Sequence, residues 1–265
     1  MSGEVQRRRR WRDDLAQVVE AEIIPRLMLA HRGEPRPRQT SIRLTDTDDI
    51  GRLGTLMLAP EDGDALAEIR DLLDGGMTLE EVLTGLLAPT ARYIGRLWEE
   101  DACDFVQVTT AMARLRRLVH DLETLCLHPR PVDPANRRVL LVPAPGETHT
   151  FGLTLAAHFF AEAGWEVVTS FAPHLSDAPE RLRSEWFDVV GLSLSCDVCV
   201  DGLVAAVPVL RRASRNRDLR LIVGGPAFLG RPDRVRLVGA DAAVDDAREA
   251  PGIAQSLLDL RIRAC

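Results

Sequence analysis

The run Asp188-Val189-Val190-Gly191-Leu192, which continues into Ser193-Leu194-Ser195, decides the fold of this 265-residue chain. Its side chains are apolar at successive positions, so both faces of the strand that it predicts must be covered, as in a parallel sheet. Further strand patterns occur at residues 139–142, 166–170, 219–223 and 242–244. Helical patterns separate these strands, which predicts an α/β fold with a doubly wound, five-stranded parallel sheet in residues 137–265.

A different pattern precedes the sheet, because apolar residues in 61–128 recur at three- and four-residue steps and predict helices. The first helix is expected to end at Gly75-Gly76. A capping box that starts at Thr78 begins the second helix, and Pro89 suits the first turn of a third. A long fourth helix is expected over 105–127. The short connections favour an antiparallel four-helix bundle.

The segments that flank this bundle are basic or rich in proline. Residues 1–60 predict an N-terminal helix and a basic, proline-rich arm, with four consecutive arginines at positions 7–10. We interpret this run as a solvated tail, and contact with a partner protein or DNA is the alternative. Residues 129–136 contain three prolines and predict a linker.

Composition excludes several classes of protein. The chain has 33 basic and 40 acidic residues, a net charge of −7, so nucleic acid is not the expected partner. Every basic residue is arginine, and the lack of lysine excludes pyridoxal enzymes, Walker-type NTPases and protein kinases. The five cysteines are odd in number and dispersed, and no signal peptide is evident, which favours reduced thiols in a cytoplasmic protein. No apolar run approaches the roughly 18 residues of a membrane span.

The loop after the first strand carries the residues best suited to chemistry, since ligands of such sheets bind beyond the carboxyl ends of the strands. It reads Glu147-Thr148-His149-Thr150-Phe151-Gly152. A carboxylate close to an imidazole can hold one ring N–H while the other ring nitrogen binds a metal, and Gly152 lets a bulky ligand approach the backbone. One histidine is too few for a zinc site built by protein alone. We therefore expect a metal that arrives inside a tetrapyrrole-like cofactor.

Three motifs in order resemble those of cobalamin-binding domains. Glu147-x-His149-x-x-Gly152 is similar to the D/E-x-H-x-x-G motif of that family. After residues 153–192 comes Ser193-Leu194-Ser195, which resembles its serine motif, and after residues 196–223 comes Gly224-Gly225, which with Val223 resembles its glycine pair. The resemblance implies a flavodoxin-like cobalamin-binding domain. It also implies that His149 is the lower axial ligand of cobalt, and that the serine motif and glycine pair line the slot for the displaced nucleotide tail.

The helical region resembles the cap that covers the upper face of the corrin in cobalamin regulators and methyltransferases. The resemblance places Trp98 against the upper axial group, together with Val108, Thr109 and Met112 of the next helix; bundle core is the alternative for Trp98. Light-sensing adenosylcobalamin repressors carry a Glu-His pair where Val108-Thr109 stand here. The expected cofactor is therefore hydroxo- or methylcobalamin in preference to adenosylcobalamin.

The pattern Val19-Glu20-x-Glu22-Ile23-Ile24-Pro25-Arg26-Leu27-Met28-Leu29-x-His31 is similar to the start of the PpaA/AerR antirepressors of photosynthesis and tetrapyrrole genes. This resemblance implies a regulator and photoreceptor, not an enzyme, that responds to light or redox state through a DNA-binding PpsR/CrtJ-type repressor. Neither a membrane nor direct contact with nucleic acid is expected, and a homo-oligomer is left open. The alternatives are a corrinoid methyl carrier of a methyltransferase system and a domain that has lost its cofactor.

A cysteine pair, Cys196-x-x-Cys199, has the spacing of a redox motif but follows the third strand. This position favours reduced structural thiols, with redox sensing as the alternative.

Overall fold

The computed structural model describes residues 47–60, 64–126, 137–170 and 177–262. The predicted N-terminal helix, the arginines at positions 7–10, the pattern at 19–31 and the linker at 129–136 lie outside these residues. Within the described ranges, no helix combines the length and the apolar composition that crossing a membrane requires.

The bundle contains α1 (Thr47–Leu58), α2 (Ala65–Asp74), α3 and α4 (Phe105–Cys126). Of these, α3 runs through Leu79–Glu81, a π-helical segment Val82–Leu87, and Ala88–Glu99. The predicted end of α2 is confirmed, since Gly75 is its C-terminal cap. The predicted capping box is also confirmed, because Thr78 and Glu81 exchange side-chain and backbone hydrogen bonds.

Two predictions about the bundle are wrong. The bundle was predicted to begin at residue 61, which left out α1. Leu53 and Met57 of α1 are buried in the core of the bundle. The helices predicted on either side of Pro89 are one continuous α3. Here the backbone N–H of Ala88 donates to the carbonyl of Leu83, five residues earlier. The wider π turn absorbs a proline that has no N–H of its own, so the helix continues through it.

The sheet agrees with its prediction. Its strands are β1 (Arg138–Pro143), β2 (Glu166–Thr169), β3 (Val189–Ser193), β4 (Arg220–Gly224) and β5 (Ala242–Val244). All pairings are parallel, in the order β2-β1-β3-β4-β5. The chain leaves β1 toward one side and returns on the other as β3, so the switch point at which such sheets bind ligands lies beyond the carboxyl ends of β1 and β3.

Helices cover both faces of the sheet. The helices α5 (Phe151–Glu162) and α9 (Ala250–Ile262) pack on one face, and α6 (Ala178–Ser184), α7 (Val200–Ala213) and α8 (Pro232–Val238) pack on the other. This arrangement explains why the strands are apolar at successive positions.

Helix α5 joins the bundle to the sheet, because it is apolar on two sides. Leu153 and Phe160 face the sheet, whereas Phe151, Leu155 and Phe159 belong to the buried cluster of the bundle. The bundle is therefore packed directly against the helix that follows the β1 loop.

Candidate functional site

The three predicted motifs meet at one edge of the sheet, because β1, β3 and β4 are adjacent. The backbone N–H of Ala144, just after β1, donates to the carbonyl of Ser193 at 2.9 Å, and that of Leu194 donates to Gly224 at 3.0 Å. These bonds hold the loops after the three strands side by side. Residues far apart in sequence thus form a single candidate site.

Glu147 is the centre of this site and is 2% exposed. Its Oε1 atom accepts the backbone N–H of His149 at 2.7 Å and lies 2.6 Å from His149 Nδ1. Its Oε2 atom accepts the backbone N–H of Ser195 at 2.5 Å. The carboxylate therefore bridges the loop after β1 and the loop after β3.

The hydrogen bonds keep this buried carboxylate ionised. Burial by itself raises the pKa of Glu147, but the imidazole of His149 and the backbone N–H groups of His149 and Ser195 outweigh it, and the pKa is lowered. Because an ionised carboxylate only accepts hydrogen bonds, Nδ1 of a neutral His149 carries the proton. The lone pair is then on Nε2, the nitrogen that can bind a metal.

The remaining residues of this loop differ in their surroundings. The His149 side chain is 42% exposed, and Thr148 is also exposed. Gly152 is exposed too, and a β-carbon built there would have no neighbour within 4 Å. Thr150 and Phe151 are buried, Phe151 within the cluster of the bundle. The exposed residues leave room for a large ligand beside the imidazole, and contact of such a ligand with Phe151 stays a prediction.

Gly225 has a specific structural reason to be glycine. Its φ is +102°, and a β-carbon would lie 2.4 Å from the carbonyl oxygen of Leu194. Leu194 and Val223 are buried in the core, while Ser193 and Ser195 are half-buried. The serine motif and the glycine pair are therefore in close backbone contact, and their role in lining a slot for the nucleotide tail stays a prediction.

Of the four predicted cap residues, three are half-buried and one is exposed. Trp98 is half-buried and packs edge-to-face on Phe105, with ring centroids 6.2 Å apart. Val108 and Met112 are partly buried against the bundle core, and Thr109 is exposed. Next to them Phe105 is 45% and Val106 70% exposed. The start of α4 thus presents apolar surface to its surroundings.

The sequence motifs did not identify Arg116, although this residue links the bundle to the site. Its guanidinium donates to the hydroxyl of Thr150 at 3.0 Å, one residue after His149. Helical spacing places Arg116 on the face of α4 that carries Phe105, Thr109 and Met112. That periodicity was the only signal in the sequence that could have identified it.

These features fit a metal enclosed in a flat macrocycle. The site offers one imidazole with a defined tautomer, exposed surface beside it and apolar side chains at the start of α4. Among the described residues, no three histidine, cysteine, aspartate or glutamate side chains are grouped as a metal site. Such a donor set suits a metal whose other ligands come from its own cofactor.

Comparison with known proteins agrees with this geometry. The family model for the B12 binding domain matches residues 137–254. A relative from Rhodobacter capsulatus, described as an uncharacterized 20.5 kDa protein in the bchF-crtJ intergenic region, is 32% identical over 168 residues, which cover 63% of this chain and 87% of the relative.

One solved structure resembles both parts of the chain. The monomethylamine corrinoid protein of Methanosarcina barkeri superposes with a TM-score of 0.64 at 15% identity, over 79% of this chain and 98% of that protein. At this level of identity the likeness concerns the fold alone.

Proposed function

We propose a regulatory function for this chain, which belongs to the B12-binding domain family. In this proposal the chain is not an enzyme. It binds cobalamin, as hydroxo- or methylcobalamin in preference to adenosylcobalamin, and acts in the cytoplasm as an antirepressor on a PpsR/CrtJ-type DNA-binding repressor. The signal is light or redox state.

The observation that carries the proposed cofactor site is the contact of Glu147 with His149. The carboxylate fixes the tautomer and the direction of the ring, so Nε2 is prepared to be the lower axial ligand of cobalt. When bound, cobalamin supplies a cobalt ion whose axial ligands can be exchanged. Gly225 lets the chain pass close to Leu194 where the nucleotide tail is expected, and Trp98 and Phe105 offer apolar surface to the corrin.

The link between His149 and the bundle supports regulation. Arg116 of α4 bonds Thr150, and Glu123, also on α4, contacts Nδ1 of the buried His158 of α5 at 3.1 Å. In this proposal, a change in the position of the His149 loop is passed to the cap through the bond between Thr150 and Arg116. Such a change alters the repressor only if the two arrangements of the cap differ in affinity for it.

Three points support the choice of partner. The sequence pattern at residues 19–31 resembles antirepressors that act on CrtJ-type repressors. The relative from Rhodobacter capsulatus is named for its place between bchF and crtJ. The negative charge of the chain suits a DNA-binding protein better than DNA.

Absorption spectra test the cofactor and the signal. We would incubate the purified full chain with hydroxo-, methyl- and adenosylcobalamin in darkness and then illuminate it. Tight retention with a light-dependent shift is the expected result, and capture of a PpsR/CrtJ-type repressor in only one state supports the antirepressor. The contrary result is cobalamin that is retained without any spectral change on illumination, together with methyl transfer to a thiol when a methyltransferase is added. This result overturns regulation in favour of the corrinoid carrier.

Substitution of the ligand tests the site. His149→Ala is expected to lose the histidine-bound spectrum, and free imidazole is expected to restore part of it. His120→Ala is the matched control, because His120 is an exposed histidine of α4. An unchanged spectrum in His149→Ala would remove His149 as the axial ligand.

A further inference from the structure

We propose that Cys196 and Cys199 form a reversible intramolecular disulfide that controls how firmly Glu147 holds His149. Formation of the bond concerns the two thiols alone. Its effect on the cofactor rests on the proposed cobalamin binding. The pair is then a thiol-oxidation site at the edge of the candidate site.

The two thiols are already placed for bond formation. The Sγ atoms lie 3.7 Å apart. The residues Asp197–Cys199 form a 3-10 turn, in which the N–H of Val200 closes onto the carbonyl of Asp197. Cys196 is the N-terminal cap of this turn, so only two residues separate the cysteines. The ends of a four-residue turn have Cα atoms within about 7 Å, and disulfides span about 4.4–6.8 Å between Cα atoms. Bond formation needs only a local movement of the turn.

The surroundings distinguish the roles of the two thiols. Cys196 is 8% exposed, and burial, followed by the contact with Cys199, raises the pKa of its thiol to about 12. Cys199 is half-buried and is the more accessible of the two. Cys199 is therefore the attacking thiol toward an outside oxidant, and Cys196 is the resolving thiol.

The reaction balances with a low-molecular-weight disulfide as oxidant. The Cys199 thiolate attacks one sulfur of the oxidant, forms a mixed disulfide and releases one thiolate. Cys196 then attacks the Cys199 sulfur and releases the second. Two protein thiols are oxidised, one small disulfide is reduced to two thiols, and the two protons pass to these products.

Both thiols adjoin a support of Glu147. Cys196 directly follows Ser195, whose backbone N–H donates to Glu147 Oε2 at 2.5 Å. The Cys199 Sγ atom lies 3.4 Å from the β-carbon position of Gly146, the residue that precedes Glu147. The pair therefore lies beside the loop that carries Glu147 and is part of the loop that binds it.

The direction of the effect follows from these contacts. The sulfur atoms must approach from 3.7 Å to about 2.05 Å. Cys199 caps the start of α7, and in the proposal Cys196 moves toward it together with the adjoining amide of Ser195. A displaced donor weakens its hydrogen bond to Glu147, and His149 is held less firmly. We expect the disulfide form to bind hydroxocobalamin about tenfold more weakly than the dithiol.

Mass spectrometry of a single peptide tests the bond. Because the chain has no lysine, trypsin releases residues 184–211, which contain Cys196 and Cys199 and no other cysteine. After exposure of the folded full chain to glutathione disulfide, this peptide is expected to be two hydrogens lighter, and dithiothreitol is expected to reverse the change. A peptide that stays reduced in excess glutathione disulfide overturns the proposal.

Titration with hydroxocobalamin tests the effect on the site. The ratio of Kd values between oxidised and reduced protein is expected to be about ten in the wild type and in Cys103→Ser. It should fall to one in Cys199→Ser, which cannot form the bond. Equal Kd values for the two wild-type forms overturn the control of His149. If the reduced protein retains no cobalamin, the proposed function fails, and the peptide mass still decides whether the disulfide forms.

Discussion

The Oε1 atom of Glu147 lies 2.6 Å from Nδ1 of His149, and the other oxygen of the same carboxylate accepts the backbone N–H of Ser195. One buried side chain therefore orients the proposed cobalt ligand and also joins the loops after β1 and β3. In the proposed function, the binding of the cofactor and the stability of this edge of the sheet depend on the same group.

The substitution Glu147→Gln tests both roles while the volume of the side chain stays nearly the same. Glutamine has one acceptor oxygen, so its NH₂ group must face the N–H of either His149 or Ser195. We expect cobalamin affinity to fall about 10- to 100-fold and the free energy of unfolding to fall by about 1–3 kcal/mol. Spectral titration and urea denaturation measure the two effects. Glu180→Gln, at an exposed position of α6, is the control, and a Kd within twofold of wild type for Glu147→Gln would contradict the assigned role.

Gly225→Ala tests the contact between the serine motif and the glycine pair. The new β-carbon would lie 2.4 Å from the carbonyl oxygen of Leu194, at a φ of +102°. Backbone must move, and we expect a loss of at least about 1–3 kcal/mol in the free energy of unfolding, together with weaker cobalamin binding.

Gly252→Ala is the matched control for that exchange, because a β-carbon at this position of α9 has no neighbour within 4 Å. It is expected to leave stability unchanged or to raise it by about 0.4–1 kcal/mol, since alanine restricts the unfolded chain. Equal denaturation midpoints for the two variants would show that the close approach at Gly225 does not limit stability.

Arg116→Ala tests the link between the cap and the His149 loop. It removes the hydrogen bond to Thr150, and we expect a loss of about 1 kcal/mol in stability and a severalfold weaker affinity for cobalamin. Arg117→Ala is the control, since the neighbouring side chain is 79% exposed and contacts only Asp121 among the described ion pairs. If both variants behave alike in denaturation and spectral titration, the link has no role in binding.

Asp197 supplies a pH-dependent test of the turn that carries the cysteine pair. The hydrogen bond from Arg234 and the charges of Arg234 and Arg231 lower the pKa of Asp197 below its ordinary 3.8 despite some burial. A lowered pKa in the folded state means that the carboxylate stabilises the fold above the ordinary pKa, and that this contribution is lost as the pH falls through the folded value.

We therefore expect Asp197→Asn to have a lower urea midpoint than wild type at neutral pH, and the difference to vanish in strong acid. Asp71→Asn, on the exposed surface of α2, is the control at each pH. A difference for Asp197→Asn that stays constant from neutral pH into strong acid would show that its charge is not responsible.

Features that depend on neighbouring residues were predicted from the sequence. The five strands lie where their apolar runs predicted them, and the capping box at Thr78 formed as its spacing required. These features depend on a few adjacent side chains and on backbone geometry, so they are encoded locally. The inclusion of α1 in the bundle was not predicted, because the burial of α1 depends on contacts with α3 and α4.

The sequence by itself determined the class of fold and the types of residue at the site, including the close spacing of Glu147 and His149. Only the tertiary structure decided where these groups point. The orientation of Glu147 depends on the amide of Ser195, 48 positions away, and the link from the cap depends on Arg116 and Thr150, 34 positions apart. Such contacts depend on how the strands and helices pack, and no local period or spacing encodes them.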